Sequence, residues 1–150
     1  KNSLLPAYQN AERMLLSHMM KNREIAFRVK ERMGGTFNVE EPSALAAYIY
    51  AFYANHDSSD VRLLLETIDD NEVLQTASEL AIMEMNDVIS EEALQDYIRA
   101  IENYPKWLKI KEKTKEKKEA EQRGDYILAA KIASDIIEMK KTLRQQNKLL

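Results

Sequence analysis

Apolar residues recur every three to four positions along most of this chain, a spacing that predicts helices rather than strands. The first such run follows Pro6, which fits the first turn of a helix, and the second follows Asn22, a suitable N-cap residue. Gly34 and Gly35 end the second run. Residues 43–56 are apolar nearly all round, which is typical of a buried central helix.

Cap residues predict three more helices. The polar segments 57–60 and 69–71 precede apolar runs. Ser90 precedes a run in which an apolar residue suited to the core recurs every third or fourth position. Pro105 must then end or kink this sixth helix, because proline lacks the backbone N–H that a helix interior uses. The pattern therefore predicts about six helices before residue 104.

The remainder of the chain predicts a different module. Residues 104–150 indicate two long helices, with Gly124 as the left-handed stop of one and Asp125 as the N-cap of the next. The fold class expected is all-α. A compact bundle spans 1–103, and a C-terminal antiparallel two-helix hairpin spans 104–150.

The last helix has more apolar surface than its neighbour can cover. At about 100° per residue, residues 126–143 carry two apolar stripes. One stripe consists of Leu128, Ile132, Ile136, Met139 and Leu143. The other consists of Tyr126, Ala130, Ala133 and Ile137. The preceding helix is mostly charged over 111–119, so one stripe must meet the bundle, a second copy or a partner protein.

Composition narrows the class of protein. The chain has 150 residues, of which 45% are apolar and 31% charged, with three Gly and three Pro, too few turn residues for a strand-rich fold. There is no Cys, which excludes disulfides and cysteine metal sites. Lys1 opens an ordinary helical pattern rather than a signal peptide, and no run is long enough for a membrane span. We expect a cytoplasmic protein, and the missing initiator Met favours a piece of something longer.

The net charge of −3 is unevenly spread. Residues 1–105 hold 9 basic and 18 acidic residues, whereas 106–150 hold 13 basic and 7 acidic residues. A change of sign along a chain often marks a change of module. The charge pattern therefore supports a boundary near Pro105.

Catalytic chemistry has little support in the residues. His18 lies on or beside an apolar helix face and His56 ends a helix, where an imidazole suits the dipole. The acidic pairs at 40–41, 57/60 and 69–70 stand at predicted helix starts, where capping accounts for them. No zinc, calcium or phosphate-loop spacing occurs. We predict no catalytic residue, no metal, no cofactor and no small-molecule substrate.

Two features raise the possibility of a nucleic-acid-binding module instead. The aromatic residues Tyr48, Tyr50, Phe52 and Tyr53 would suit base stacking, but their spacing places them on several faces of an apolar helix and favours core packing. The lysine-rich tract 106–118 would attract phosphate, but interleaved glutamates favour a solvated helix face. The alternative function kept open is a basic hairpin that binds nucleic acid.

An ordered series of segments along nearly the whole chain resembles a known family. The segments are AERMLLSHMM (11–20), GGTFNVEE (34–41), ALAAYIYAFY (44–53), EALQDYIRAI (92–101), PKWL (105–108) and DYILAAKIASDIIEMKK (125–141). Together they resemble the C-terminal helicase-binding domain of bacterial DNA primase, as found in Bacillus-type organisms.

The resemblance implies a non-catalytic domain that tethers primase to the N-terminal domains of the hexameric replicative helicase and modulates helicase and priming activity. It also implies a bundle similar to the helicase's own N-terminal domain and a hairpin that is the main adhesive element. Given this partner, the helical positions of residues 126–143 predict that the stripe containing Leu128, Ile132, Ile136 and Met139 packs inward. The predicted partner-binding residues are Arg123, Tyr126, Ile127, Ala130, Lys131, Ala133, Ile137 and Lys141. The partner expected is the helicase, with no membrane and weak or absent direct binding of nucleic acid.

Overall fold

A computed structural model describes residues 4–34, 37, 40–83 and 88–149, and within them the chain is helical without strands. The all-α fold class predicted from the sequence is confirmed. The helices are α1 Leu4–Lys21, α2 Arg23–Met33, α3 Glu40–Asn55, α4 Val61–Glu66, α5 Asn71–Ala81, α6 Glu91–Gln122 and α7 Tyr126–Leu149.

The chain divides into two compact units, Lys1–Glu102 and Asn103–Leu150. The first, here the bundle unit, contains α1 to α5 and the beginning of α6. The second, here the hairpin unit, contains the rest of α6 and all of α7. The sequence placed the boundary between residues 103 and 104, one position further along.

Short polar side chains cap the amino-terminal ends of α2, α4, α5 and α6. Asp70 illustrates the geometry, because its Oδ1 accepts from the backbone N–H groups of Glu72 at 2.9 Å and Val73 at 3.0 Å. Each such bond satisfies a donor that the first helical turn leaves free. The same role is observed for Asn22, Asp60 and Ser90. Capping therefore explains these residues, as the sequence predicts.

Gly34 ends α2 with a backbone angle φ of 59°, where a Cβ is strained. Its N–H donates to the Lys30 carbonyl at 2.8 Å. Gly35, the second residue of the predicted stop, and the side chains of Glu40 and Glu41 lie outside the described residues.

The core of the bundle unit is built around α3, which contacts α1, α2, α4 and α5. Phe52 and Tyr53 are buried in this core, and the Tyr53 hydroxyl lies 2.9 Å from the carbonyl oxygens of both Met19 and Met20. Core packing of these two aromatic residues is thus confirmed.

Polar side chains inside the bundle unit have defined roles. Ser17 Oγ donates to the Leu80 carbonyl at 3.0 Å, and the Tyr8 hydroxyl donates to the buried carboxylate of Glu12. His18 is buried, which confirms its predicted place in or beside the core. Burial, and secondarily the nearby charge of Lys21, lowers the pKa of His18.

The sequence predicts that Pro105 either ends or kinks the sixth helix, and the first of these alternatives is wrong. Pro105 lies inside α6, which is helical from Glu91 to Gln122, so the predicted sixth helix and the first helix of the hairpin are continuous. A proline in a helix interior costs about 3 kcal/mol, which packing on both sides can offset. Ile98 and Ile101 are buried before it and Ile110 after it, whereas Pro105 itself is exposed.

Candidate functional site

The turn between α6 and α7 follows from the sequence Arg-Gly-Asp. Gly124 adopts φ 80°, and its N–H donates to the Glu121 carbonyl at 3.0 Å, while the Asp125 N–H donates to the Ala120 carbonyl at 2.9 Å. This pair of bonds is a Schellman motif, which closes a helix through a left-handed glycine. The Asp125 carboxylate then accepts from the Leu128 N–H at 3.2 Å and starts α7.

Below the turn, one face of α7 packs against α6. The hairpin core consists of Ile110, Ile132, Ile136 and Leu143, with Trp107 and Met139 packed against it. Each large apolar side chain buried here contributes about 1.5–3 kcal/mol relative to exposure. Inward packing of Ile132, Ile136 and Met139 is therefore confirmed, and Leu143 of the same stripe packs with them.

Leu128 departs from this predicted packing. Its side chain remains 37% exposed, and the neighbouring Ala129, which the sequence analysis did not place, is 4% exposed instead. On a wheel, Leu128 lies at one margin of the buried face and Ala129 at the other. A small residue near the turn, where Ala120 is also buried, leaves room for closely spaced helices.

The second stripe of α7, here the outer strip, consists of Tyr126, Ala130, Ala133 and Ile137. Tyr126 is 70% exposed and Ile137 64% exposed, and Ala130 is also exposed, whereas Ala133 is half-buried. The spacing of four, three and four residues keeps them on one side of the helix, over about 16 Å of its axis. The structure thus brings together an apolar strip that is open to solvent.

The other predicted contact residues occupy different positions. Ile127, which is 84% exposed, and Lys131 lie one turn apart on α7, about 100° and about 140° around the helix from Tyr126. Arg123 is exposed at the turn, and its N–H donates to the Glu119 carbonyl at 3.1 Å. Lys141 is exposed one turn beyond Ile137. Ile127 and Lys131 therefore flank the outer strip rather than continue it.

Sequence reasoning missed two residues that extend the outer strip. Lys140 and Arg144 follow Ile137 by three and seven positions, which places them beside Lys141 on the same side of α7. All three cations are exposed, and we call them the basic end. The wheel that revealed the stripes already included Lys140, and one further position adds Arg144, so examining its basic residues as well as its apolar ones would have shown both.

Two lysines of α6 form ion pairs within the hairpin unit. Lys113 Nζ lies 3.9 Å from an Asp135 carboxylate oxygen on α7, and Lys117 Nζ lies 3.5 Å from Glu121. These exposed pairs contribute little energy each, but they reduce the positive charge that the tract offers to phosphate. The basic tract is thus partly neutralised by its own unit.

Features of other functional classes are not observed in the part of the chain that the structure describes. No three potential metal-binding side chains of His, Asp or Glu come together there. None of the helices, over those same residues, combines the length and apolar character that a bilayer crossing requires. The exposed side of α7 is therefore the candidate site.

Comparison with known proteins finds similar sequences among DNA primases. The DNA primase of Geobacillus stearothermophilus is 52% identical over 140 residues, and that of Halalkalibacterium halodurans is 44% identical over 142 residues. These matches cover 93% and 94% of this chain, which spans 23% of the length of each relative. A search against models of protein families matches none of them.

A solved structure is also similar to this chain. It is the DnaB-binding domain of DnaG from Bacillus stearothermophilus, with 52% sequence identity and a TM-score of 0.57. The match covers 91% of this chain and 92% of that domain. The two chains are therefore similar in sequence as well as in fold.

Proposed function

Because this chain belongs to the bacterial DNA primase family, in the part represented by the DnaB-binding domain of DnaG, we propose that it is a non-catalytic docking domain for the replicative helicase. In a full-length primase it would hold the primer-synthesising domains at the helicase ring, in the cytoplasm at the replication fork. Its contact would be with the N-terminal domains of that ring.

The observation that carries this proposal is the exposure of the outer strip. Tyr126 and Ile137 together leave much of two large apolar side chains in water, on a helix whose opposite face is already packed. Exposed apolar patches of this kind mark interaction sites, and a helix face that anchors every third or fourth residue suits helix-in-groove recognition. The small Ala130 and Ala133 let a partner backbone come close.

A division of labour between the two units follows from the same reasoning. We assign docking to the hairpin unit, with Arg123, Tyr126, Ile127, Ala130, Lys131, Ala133, Ile137 and Lys141 as the contact set. We assign modulation of helicase activity to the bundle unit, on the strength of the family resemblance.

Calorimetric titration of this chain with the helicase N-terminal domain tests the proposal. Binding driven by apolar burial is expected to carry a negative heat-capacity change and to retain most of its affinity between about 50 and about 200 mM salt. The absence of binding at either salt concentration would refute helicase docking.

Titration with a duplex oligonucleotide supplies the comparison for the nucleic-acid alternative. Phosphate-driven binding with several contacts loses about a thousandfold or more in affinity over the same salt range. If the oligonucleotide bound more tightly than the helicase domain at both salt concentrations, a nucleic-acid-binding module would be the better conclusion.

A further inference from the structure

The basic end of α7 has no role within the described structure. Lys140, Lys141 and Arg144 are exposed, and none of the ion pairs between described residues includes any of them. Lys140 and Arg144 are four residues apart, a spacing at which like charges destabilise a helix. These two cations therefore do not stabilise α7 through each other.

The helix dipole does not account for the cluster either. Cations stabilise a helix when they lie in its last turn, where the unpaired carbonyls are. Because α7 continues to Leu149, Arg144 lies five residues before the end and Lys140 nine residues before it. These charges are too far from the carboxyl terminus for the dipole to explain them.

The position of the basic end relates it to the outer strip. It begins one turn beyond Ile137 on the same side of α7, and reaches about 10 Å further along the axis. The carboxylates of α7 lie mostly away from these cations. Asp135 faces Lys113 of α6, and Glu138 is about 160° from Lys140 and about 120° from Arg144, although it precedes Lys141 by three positions. One side of the helix is thus apolar near the turn and positive farther from it.

We propose that the basic end binds a cluster of carboxylates on the helicase, placed beside the apolar surface that receives the outer strip. The inference rests on the proposed function and adds the chemistry and the orientation of that contact. A strip that is apolar at one end and positive at the other matches such a partner in one direction only. The carboxylates would therefore fix which way the hairpin lies on the ring, while the apolar residues supply most of the affinity.

Charge reversal at the basic end tests the proposal in the intact 150-residue chain. Lys141→Glu with Arg144→Glu is expected to lower the association rate with the helicase by about tenfold at low salt and to remove most of its salt dependence. The matched control is Lys115→Glu with Lys118→Glu, which changes the net charge equally at two exposed lysines of α6 that are in no ion pair among the described residues.

The control is expected to leave most of the rate and its salt dependence in place. Equal effects of the two double variants would mean that only net charge matters and would overturn the inference, as would no effect of either. Failure of the unaltered chain to bind the helicase would instead refute the proposed function itself, so the two failures are distinguishable.

Zero-length coupling by a carbodiimide gives a second, direct measurement. The reagent joins a lysine amine to a carboxylate only when the two are in contact. Mass spectrometry of the coupled complex is expected to show Lys140 or Lys141 joined to Asp or Glu of the helicase. Links to the helicase from Lys115 or Lys118, with none from Lys140 or Lys141, would contradict the assigned orientation.

Discussion

At the residue scale, Ile136 and Ile137 have the same side chain and neighbouring positions but opposite surroundings. Ile136 is 8% exposed and Ile137 64% exposed. Because successive helical residues are about 100° apart, one isoleucine faces α6 while the other faces away from it. Their substitutions should therefore separate stability from binding.

Ile137→Asp is expected to weaken helicase binding by about tenfold or more, since an anchor at the centre of an interface typically contributes over 1 kcal/mol. The thermal midpoint of the isolated chain should stay the same, because the side chain is in water. Leu108→Asp is the matched control, since Leu108 is an apolar residue of the same unit that is 45% exposed but lies outside the outer strip. Equal losses of affinity from the two variants would argue against the strip as the contact.

Ile136→Ala should show the reverse behaviour. Removing a buried isoleucine costs about 2–5 kcal/mol, so the variant should unfold at lower urea concentration, whereas Ile137→Ala should change stability by less than about 0.5 kcal/mol. Urea unfolding followed by circular dichroism measures both. Similar destabilisation by the two variants would place Ile137 inside the fold.

His18 predicts a pH dependence of stability. Burial lowers its pKa below the ordinary value of 6.5, so the unfolded chain binds a proton more readily than the folded one. The free energy of unfolding should then fall as the pH drops below about 6.5 toward pH 5, a window above the range in which most carboxylates titrate. His18→Gln should flatten this dependence when urea unfolding is compared between pH 7 and pH 5.

At the scale of helices, α6 and the turn after it show how local signals combine. The turn was predicted correctly, because a left-handed glycine followed by an N-cap aspartate specifies it within a few residues. Whether the helix before it ends or kinks at Pro105 was left open by the sequence, because neighbouring residues reveal the cost of an internal proline but not the packing that offsets it. Neighbouring residues therefore predict where a helix ends more reliably than whether a helix continues through a proline.

Gly124→Ala tests the turn. The backbone angle φ is 80°, and a Cβ at this position would meet no atom within 4 Å, so the cost is conformational strain alone. The free energy of unfolding should fall by about 1–2 kcal/mol. The control is Gln122→Ala, at the last residue of α6. It should change the free energy of unfolding little when both variants are measured by urea unfolding. An unchanged stability of Gly124→Ala would mean that the turn adopts another conformation.

At the scale of the whole molecule, the chain consists of two units of opposite charge joined within one helix. The bundle unit has its own core around α3, and side chains such as Arg32, which contacts Gln95 at 2.6 Å and Glu102 at 3.2 Å, tie the first part of α6 to it. The hairpin unit has a separate core. Each unit therefore has the internal contacts expected of a region that folds by itself.

A fragment of residues 1–102 is accordingly expected to fold and to have little helicase affinity. Its helicity by circular dichroism and its cooperative melting would report folding, and calorimetry against the helicase domain would report binding, with the full chain as the reference. Undiminished affinity of the fragment would overturn the assignment of docking to the hairpin unit.

The sequence by itself determined the helices, most of their caps, the turn at Gly124 and the two stripes of α7. These features depend on periodicity and on groups within a few residues of each other, which the order of amino acids specifies directly. Only the tertiary structure decided that α6 runs through Pro105, that Ala129 rather than Leu128 is buried, and that Ala133 is half-covered. The direction of a side chain follows from its place along the helix, but the depth of its burial depends on how closely the neighbouring helix approaches.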